Sequence, residues 1–394
     1  MTDSIQSLKA QAVEITGLSD FGSPWFEGPL SAWVADLSGP LQTSVAVHLF
    51  KRLAVTNLCR RLEVMDWLHR HPEIDDVEIP PILYITGLER SGTTFLHNLL
   101  ALHPLARALL RWELMRPAPP PKSVTYRTDP RIAQVQAAVD RQRGTPLEHM
   151  HWVNADDPEE CTWGAIDCTG LMGRAPMMMT PTWNRWLATH DLTPSFVEYR
   201  RLIKLLIWRN PLPPGGHLVL KSPQNSRNIG HFAAAFPEAK FALTHRDPFR
   251  AFTSVCALLE GTLGPICADH DYWRSGGPGM EVVTEAADRA LSCMVAHDQA
   301  SLSKVVSVAY PRLVQTPAEV VAEIYRACDM DVPADLAARI ETFTTAQASG
   351  KRASPPTALP TFGQDHAAFL ARPTIAAYCS HFRVEPETTR LTGA

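Results

Sequence analysis

The chain has 394 residues, of which 45% are hydrophobic and 20% charged, a balance that builds a large folded core and excludes an intrinsically disordered chain. Its formal net charge of −4 argues against a broad nucleic-acid-binding face, while a small anion can still be held by local basic groups and helix ends. The eight cysteines stand apart without a CxxC pair, so neither a zinc site nor a disulfide framework is expected, and the thiols read as buried and reduced.

The opening "MTDSIQSLKAQAVEITGL" lacks a basic start and a continuous apolar core, which argues against a signal peptide. No run of roughly 18 apolar residues follows, so a cytoplasmic protein without a membrane span is expected. Residues 5–16 and 43–70 carry helical apolar spacing, as in Val45, Leu49, Leu53, Leu58, Leu62 and Trp67. Residues 1–78 therefore read as a helical segment packed on a main domain of residues 79–394. An exposed apolar face on these helices would serve a homodimer.

Two prolines in "EIPPILYITG" precede a buried strand over 82–86. Four further short apolar runs read as strands: 106–110, 217–221, 240–245 and 305–310. Helical patterns lie between them over 93–102, 128–142, 194–209, 225–236, 249–260 and 281–303, and a helical tail over 362–384. Strands alternating with helices favour a parallel sheet covered on both faces, an α/β fold. The proline clusters "RPAPPPKS", "NPLPPGG" and "SPPTALP" read as surface loops, because helix and strand signals resume at once.

The turn after the first strand, Gly87-Leu88-Glu89-Arg90-Ser91-Gly92-Thr93-Thr94, lies at a strand's carboxyl end, where open parallel sheets bind ligands. Gly87 and Gly92 allow the backbone N–H groups close to an anion, and the following helix adds its positive dipole end. Ser91, Thr93 and Thr94 offer hydroxyls, and Arg90 a fixed charge with several donors. A helix-capping turn is the plainer alternative. A Walker loop needs GxxxxGK[ST], with lysine directly before Ser/Thr, and this chain has Gly92-Thr93 there with no lysine. In "FALTHRDPFRAFTSVCALLE", Arg246 ends a strand, Asp247 and Pro248 suit the start of a helix, and Ser254 lies eight residues beyond Arg246. Arg246 and Ser254 are placed to clamp one phosphate together.

These two strand–loop–helix units resemble the sulfotransferases that use 3′-phosphoadenosine 5′-phosphosulfate (PAPS), Gly87–Thr94 matching their 5′-phosphosulfate loop and Arg246 to Ser254 their 3′-phosphate site. The similarity spans roughly residues 78–385 and is closest to the bacterial branch with ERSGTT, LKSP and HRDP blocks, here Glu89–Thr94, Leu220–Pro223 and His245–Pro248. The resemblance implies a P-loop-like three-layer α/β/α fold with a five-stranded parallel sheet and added helices. It also implies transfer of a sulfuryl group to a hydroxyl or amine of a small or lipid-like acceptor, release of 3′,5′-bisphosphoadenosine, and no metal. Animal cytosolic members carry lysine where this chain has Arg90, and a Lys-Thr-His block where it has Lys221-Ser222-Pro223, so their histidine base is missing. An ATP-dependent P-loop kinase or NTPase, or a catalytically silent nucleotide-binding protein, stands as the alternative.

Sulfuryl transfer needs in-line placement, positive charge at the leaving oxygen and a base for the acceptor proton. Arg90 and Lys221 are the charge candidates. The base is sought in "EHMHWVNADDPEECTWG" (148–164), where Glu160 is the first candidate, with Glu159 and His151 behind it. An acidic helix cap is the bland reading of that stretch, and a metal reading of His149, His151, Asp156 and Glu160 follows no ligand motif. Lys351 and Arg352 are further candidates for the 3′-phosphate. Asn225, Ser226 and Arg227 either cap the next helix or line the cofactor's edge. "APMMMTPTWNRW" (175–186) suits either core packing or a pocket for a lipophilic acceptor.

Overall fold

In a computed structural model, residues 4–37, 39, 43–141, 143–144, 153–169, 180–263, 266–269, 277–300, 305–349, 365–385 and 387 are described. His149, His151, Lys351 and Arg352 lie outside the described residues, as do residues 175–179 of the Met-rich stretch 175–186.

The chain opens with α1 (Ile5–Thr16), α2 (Glu27–Asp36) and α3 (Ser44–Arg70). Ser4 caps α1 by accepting from the Ser7 N–H at 3.2 Å, and Thr43 caps α3 by accepting from the Ala46 N–H at 3.1 Å. The α/β part follows in the order β1 (Ile82–Gly87), α4 (Thr93–Leu100), β2 (Ala106–Ala108), α5 (Arg111–Met115), α6 (Pro130–Asp140), α7 (Pro181–Thr189), α8 (Thr193–Trp208), β3 (His217–Lys221), α9 (Ile229–Ala235), β4 (Lys240–His245), α10 (Pro248–Leu263), α11 (Pro278–Ala300) and β5 (Val305–Ala309). Then come α12 (Tyr310–Gln315), α13 (Pro317–Ala327), α14 (Leu336–Ser349), α15 (His366–Leu370) and α16 (Pro373–Phe382).

The five strands form one parallel sheet in the order β2-β3-β1-β4-β5. The two-residue period of a strand sends alternate side chains to opposite faces. Ile82 and Tyr84 of β1, Leu218 and Leu220 of β3, and Phe241 and Leu243 of β4 enter one apolar cluster, which also takes Leu8, Trp33, Leu58 and Leu62 from the N-terminal helices and Tyr378 and Phe382 from α16. Leu83, Ile85, Val219 and Ala242 enter the opposite cluster with Leu96 and Leu99 of α4, Ile324 and Tyr325 of α13, and Ile340 of α14. This is the three-layer arrangement expected from the alternating pattern.

Two expected elements are shorter than expected. The run 106–110 is a strand only over Ala106–Ala108, because Leu109 turns to accept from the Glu159 N–H at 3.0 Å and the Glu113 carboxylate takes the Leu110 N–H at 2.9 Å. The helix expected over 225–236 begins as a 3-10 turn, Pro223–Asn228. There Asn225 donates to the Tyr84 hydroxyl at 2.8 Å and Ser226 to the Pro223 carbonyl at 2.7 Å, so neither side chain caps α9. Hydrophobic spacing also passed over α2, α5, α7 and the α12–α14 run, whose apolar faces fill gaps left by longer elements.

One buried ion pair ties α3 to α8. Arg61 is fully buried and grips Glu198 with two bonds of 2.6 and 2.8 Å, while also donating to the carbonyls of Phe21 and Ser23. Burial holds the Glu198 carboxyl above its usual range despite the guanidinium beside it. Removing one partner strands the other charge in the core. Arg61→Met is therefore expected to lower the unfolding free energy by about 3–5 kcal/mol, and adding Glu198→Gln to recover part of that loss. Urea denaturation of the two single variants and the double variant measures both effects.

Candidate active site

The turn between β1 and α4 is built by close approach to β4. Gly87 has φ 151°, and a Cβ there would lie 2.2 Å from the Thr244 carbonyl oxygen, so only glycine fits. Arg90 holds the left-handed conformation, φ 67°, without being glycine. Ser91 is buried: its hydroxyl donates to the Leu88 carbonyl at 2.5 Å and lies 2.6 Å from Thr244 Oγ1. That hydroxyl braces the turn against β4. Gly92 caps α4 without any side-chain bond, so the first N–H groups of that helix stay available to an anion. Glu89 lies 3.6 Å from Arg227.

Beneath the turn, β3 ends at Lys221, paired in register with Ile85 of β1. Its side chain is fully buried, with Nζ 2.9 Å from Glu160 Oε1 and 3.3 Å from Thr94 Oγ1. Glu160 begins the 3-10 turn Cys161–Gly164. Glu159 sits beside it but faces away: its carboxylate accepts from Arg111 at 3.3 Å and from the Glu160 N–H at 2.8 Å. Glu159 therefore anchors the segment, and Glu160 is the carboxylate presented to Lys221.

At the end of β4, Asp247 caps α10 by accepting from the Phe249 N–H at 2.8 Å. Ser254 of α10 accepts from Arg90 Nε at 3.0 Å, and Arg246 Nη1 donates to the Arg90 carbonyl at 3.0 Å. The arginine of the first loop and both members of the second thus meet at one point. Arg246 also stacks on Tyr310, 4.1 Å from its ring centre, and pairs with Glu387 of the tail. Sequence reasoning passed over both residues. Tyr310 was readable as the residue just beyond the carboxyl end of β5, whereas no local pattern marks Glu387.

A cleft of about 620 Å³ joins these parts and is lined by Arg90, Thr93, Thr94, Glu160, Arg246 and Tyr310, among others. That volume suits a nucleotide-sized ligand. A second cavity of about 160 Å³ starts at Cys161, the neighbour of Glu160, and is lined by Leu187, Phe196, Tyr199, Asn225, Arg227 and Val282, among others. The Cys161 thiol, pushed up to about 11 by burial, stays protonated. His97, on α4, is driven down to about 3 by burial and the Lys221 charge, and its Nε2–H donates to the Val219 carbonyl at 3.1 Å. Burial lowers His245 to about 4. Both imidazoles are therefore uncharged near neutral pH, and Glu160 is the carboxylate that faces Lys221.

The sequence model described as the sulfotransferase family matches residues 81–334. Among solved structures, sulfotransferase STF9 from Mycobacterium avium superposes with a TM-score of 0.84 at 24% identity, covering 98% of each chain. Sulfotransferase STF1 from Mycobacterium tuberculosis H37Rv superposes with a TM-score of 0.80 at 23% identity, covering 95% of this chain and 99% of its own. Both share the fold. No curated protein matches the chain.

Two of the buried histidines, His97 and His245, show how burial makes the fold acid-sensitive. In the unfolded chain each imidazole binds a proton near the ordinary value of 6.5, while the folded chain keeps it neutral down to about 3 at His97 and about 4 at His245. Their contribution is intact above pH 6.5 and is lost as the pH falls toward 4. Between pH 7 and pH 5 the unfolding free energy is expected to drop by about 1–2 kcal/mol per histidine. Urea melts across that range, repeated on His97→Asn, read the slope and the share that disappears with the imidazole.

Proposed function

The chain belongs to the sulfotransferase family, and from that premise we propose that it moves the sulfuryl group of PAPS to a hydroxyl or amine of a small or lipid-like acceptor. The observation that carries this reading is Lys221 Nζ bonded to Glu160 and Thr94, two residues that line the cleft. The residues fit such a donor. The uncapped start of α4, with Thr93, Thr94 and Arg90, meets the 5′-phosphosulfate, and Arg246 with Ser254 meets the 3′-phosphate.

In this reading Lys221 and Arg90 stabilise negative charge on the phosphate oxygen as its bond to sulfur breaks. Glu160 accepts the proton of the acceptor as the new sulfur–oxygen or sulfur–nitrogen bond forms. The ion pair couples the two roles: as the ammonium turns toward the leaving oxygen, its hold on Glu160 weakens and the carboxylate becomes more basic. The second cavity, mostly apolar and beginning one residue beyond Glu160, is the place for a compact acceptor. Arg90 supplies charge but cannot readily give up a proton, so it serves here as an electrostatic group.

Glu160→Gln is expected to slow turnover by about 100-fold or more while leaving affinity for 3′,5′-bisphosphoadenosine within about threefold. Transfer of radiolabel from PAPS to a cell lipid and metabolite extract supplies the rate and identifies the acceptor; full activity in the variant would remove Glu160 as the base. Arg246→Ala is expected to weaken 3′,5′-bisphosphoadenosine by about tenfold or more and adenosine 5′-phosphate by little. Equal losses for both ligands in calorimetry would contradict a 3′-phosphate clamp.

A further inference from the structure

The guanidinium of Arg246 is already engaged. Glu387 presents both carboxylate oxygens to it, Oε1 at 2.5 Å from Nε and Oε2 at 2.7 Å from Nη2. The third nitrogen donates to the Arg90 carbonyl, and the planar group lies on Tyr310. Glu387 is itself held in place, its N–H donating to Asp247 Oδ2 at 2.8 Å, on the residue that caps α10. Behind it, the Val384 N–H returns to the Cys379 carbonyl at 2.9 Å and fixes where the tail leaves α16. The carboxylate is thus delivered to the anion end of the cleft by bonds on both sides.

A carboxylate and a phosphate offer the same pair of oxygens to the fork of an arginine, and one edge cannot serve both. Resting on the donor reading above, we infer that Glu387 is a donor-selectivity residue: a resident counter-ligand that a 3′-phosphate must displace from Arg246. A nucleotide that engages only the α4 end leaves the pair intact and bears no such cost. Glu387 therefore weakens binding of 3′-phosphorylated ligands selectively, and it speeds their departure by reclaiming Arg246. If Glu387 instead only aimed Arg246 at the ligand, removing its charge would weaken that binding, so the two roles predict opposite signs.

The test is calorimetry and stopped-flow release on the full chain with adenosine 3′,5′-bisphosphate and adenosine 5′-phosphate. Glu387→Gln keeps the backbone contact to Asp247 and is expected to tighten the bisphosphate about fivefold, mostly through slower release, with the monophosphate unchanged. Glu387→Asp, which keeps the charge, is expected to stay near the parent. Unchanged or weaker bisphosphate binding in Glu387→Gln, or equal tightening of both nucleotides, overturns the inference. A bisphosphate loss in Arg246→Ala together with no gain in Glu387→Gln overturns it alone and keeps the donor reading. Failure of the parent chain to bind bisphosphate overturns both.

Discussion

Everything in the cleft is arranged around one buried positive charge. An ammonium group taken fully out of water carries a penalty of several kcal/mol unless a partner of opposite sign stands within bonding distance. Lys221 has that partner in Glu160. Glu160 in turn is held by a segment with no regular structure of its own, pinned where Leu110 bridges Pro158 and where Arg111 takes Glu159. The short β2 strand, the abrupt start of α5 and the Arg111–Glu159 pair can therefore be understood together. They bring a loop distant in sequence to the carboxyl end of β3 and keep its glutamate facing the sheet.

The same economy governs the end of the cleft where the two loops meet. Two strand–turn–helix units, one after β1 and one after β4, lie side by side because their strands pair in the sheet, Gly87 opposite Thr244. That pairing is what lets Ser91 lock onto Thr244 and what brings Arg90 to Ser254. The sheet order does more than support the site, since it sets the distance between the two loops.

What the sequence disclosed and what it hid divide along range of contact. The five strands and the two glycine positions of the first turn are local patterns, and they were readable. The contact between Ser91 and Thr244 was hidden because Thr244 lies on another strand, and no spacing rule reports that meeting. Glu159 and Glu160 are adjacent and chemically alike; only the position of Arg111 separates the anchor from the group that faces Lys221. Glu387 follows α16 in a stretch without periodicity, so its meeting with Arg246 is a tertiary fact. His151, Lys351 and Arg352 stay expectations from the sequence, as does the acceptor's identity.

A Cβ on Gly92 would come within 2.8 Å of the Tyr310 ring, the same ring on which Arg246 rests. The glycine of one loop and the aromatic after the last strand are therefore locked as a matched set. A bulkier residue at 92 would have to hold the left-handed φ of 89° and also displace that ring, and moving the ring would take away the platform under the arginine. Evolutionary drift in the turn between β1 and α4 is thus policed from the edge of the sheet.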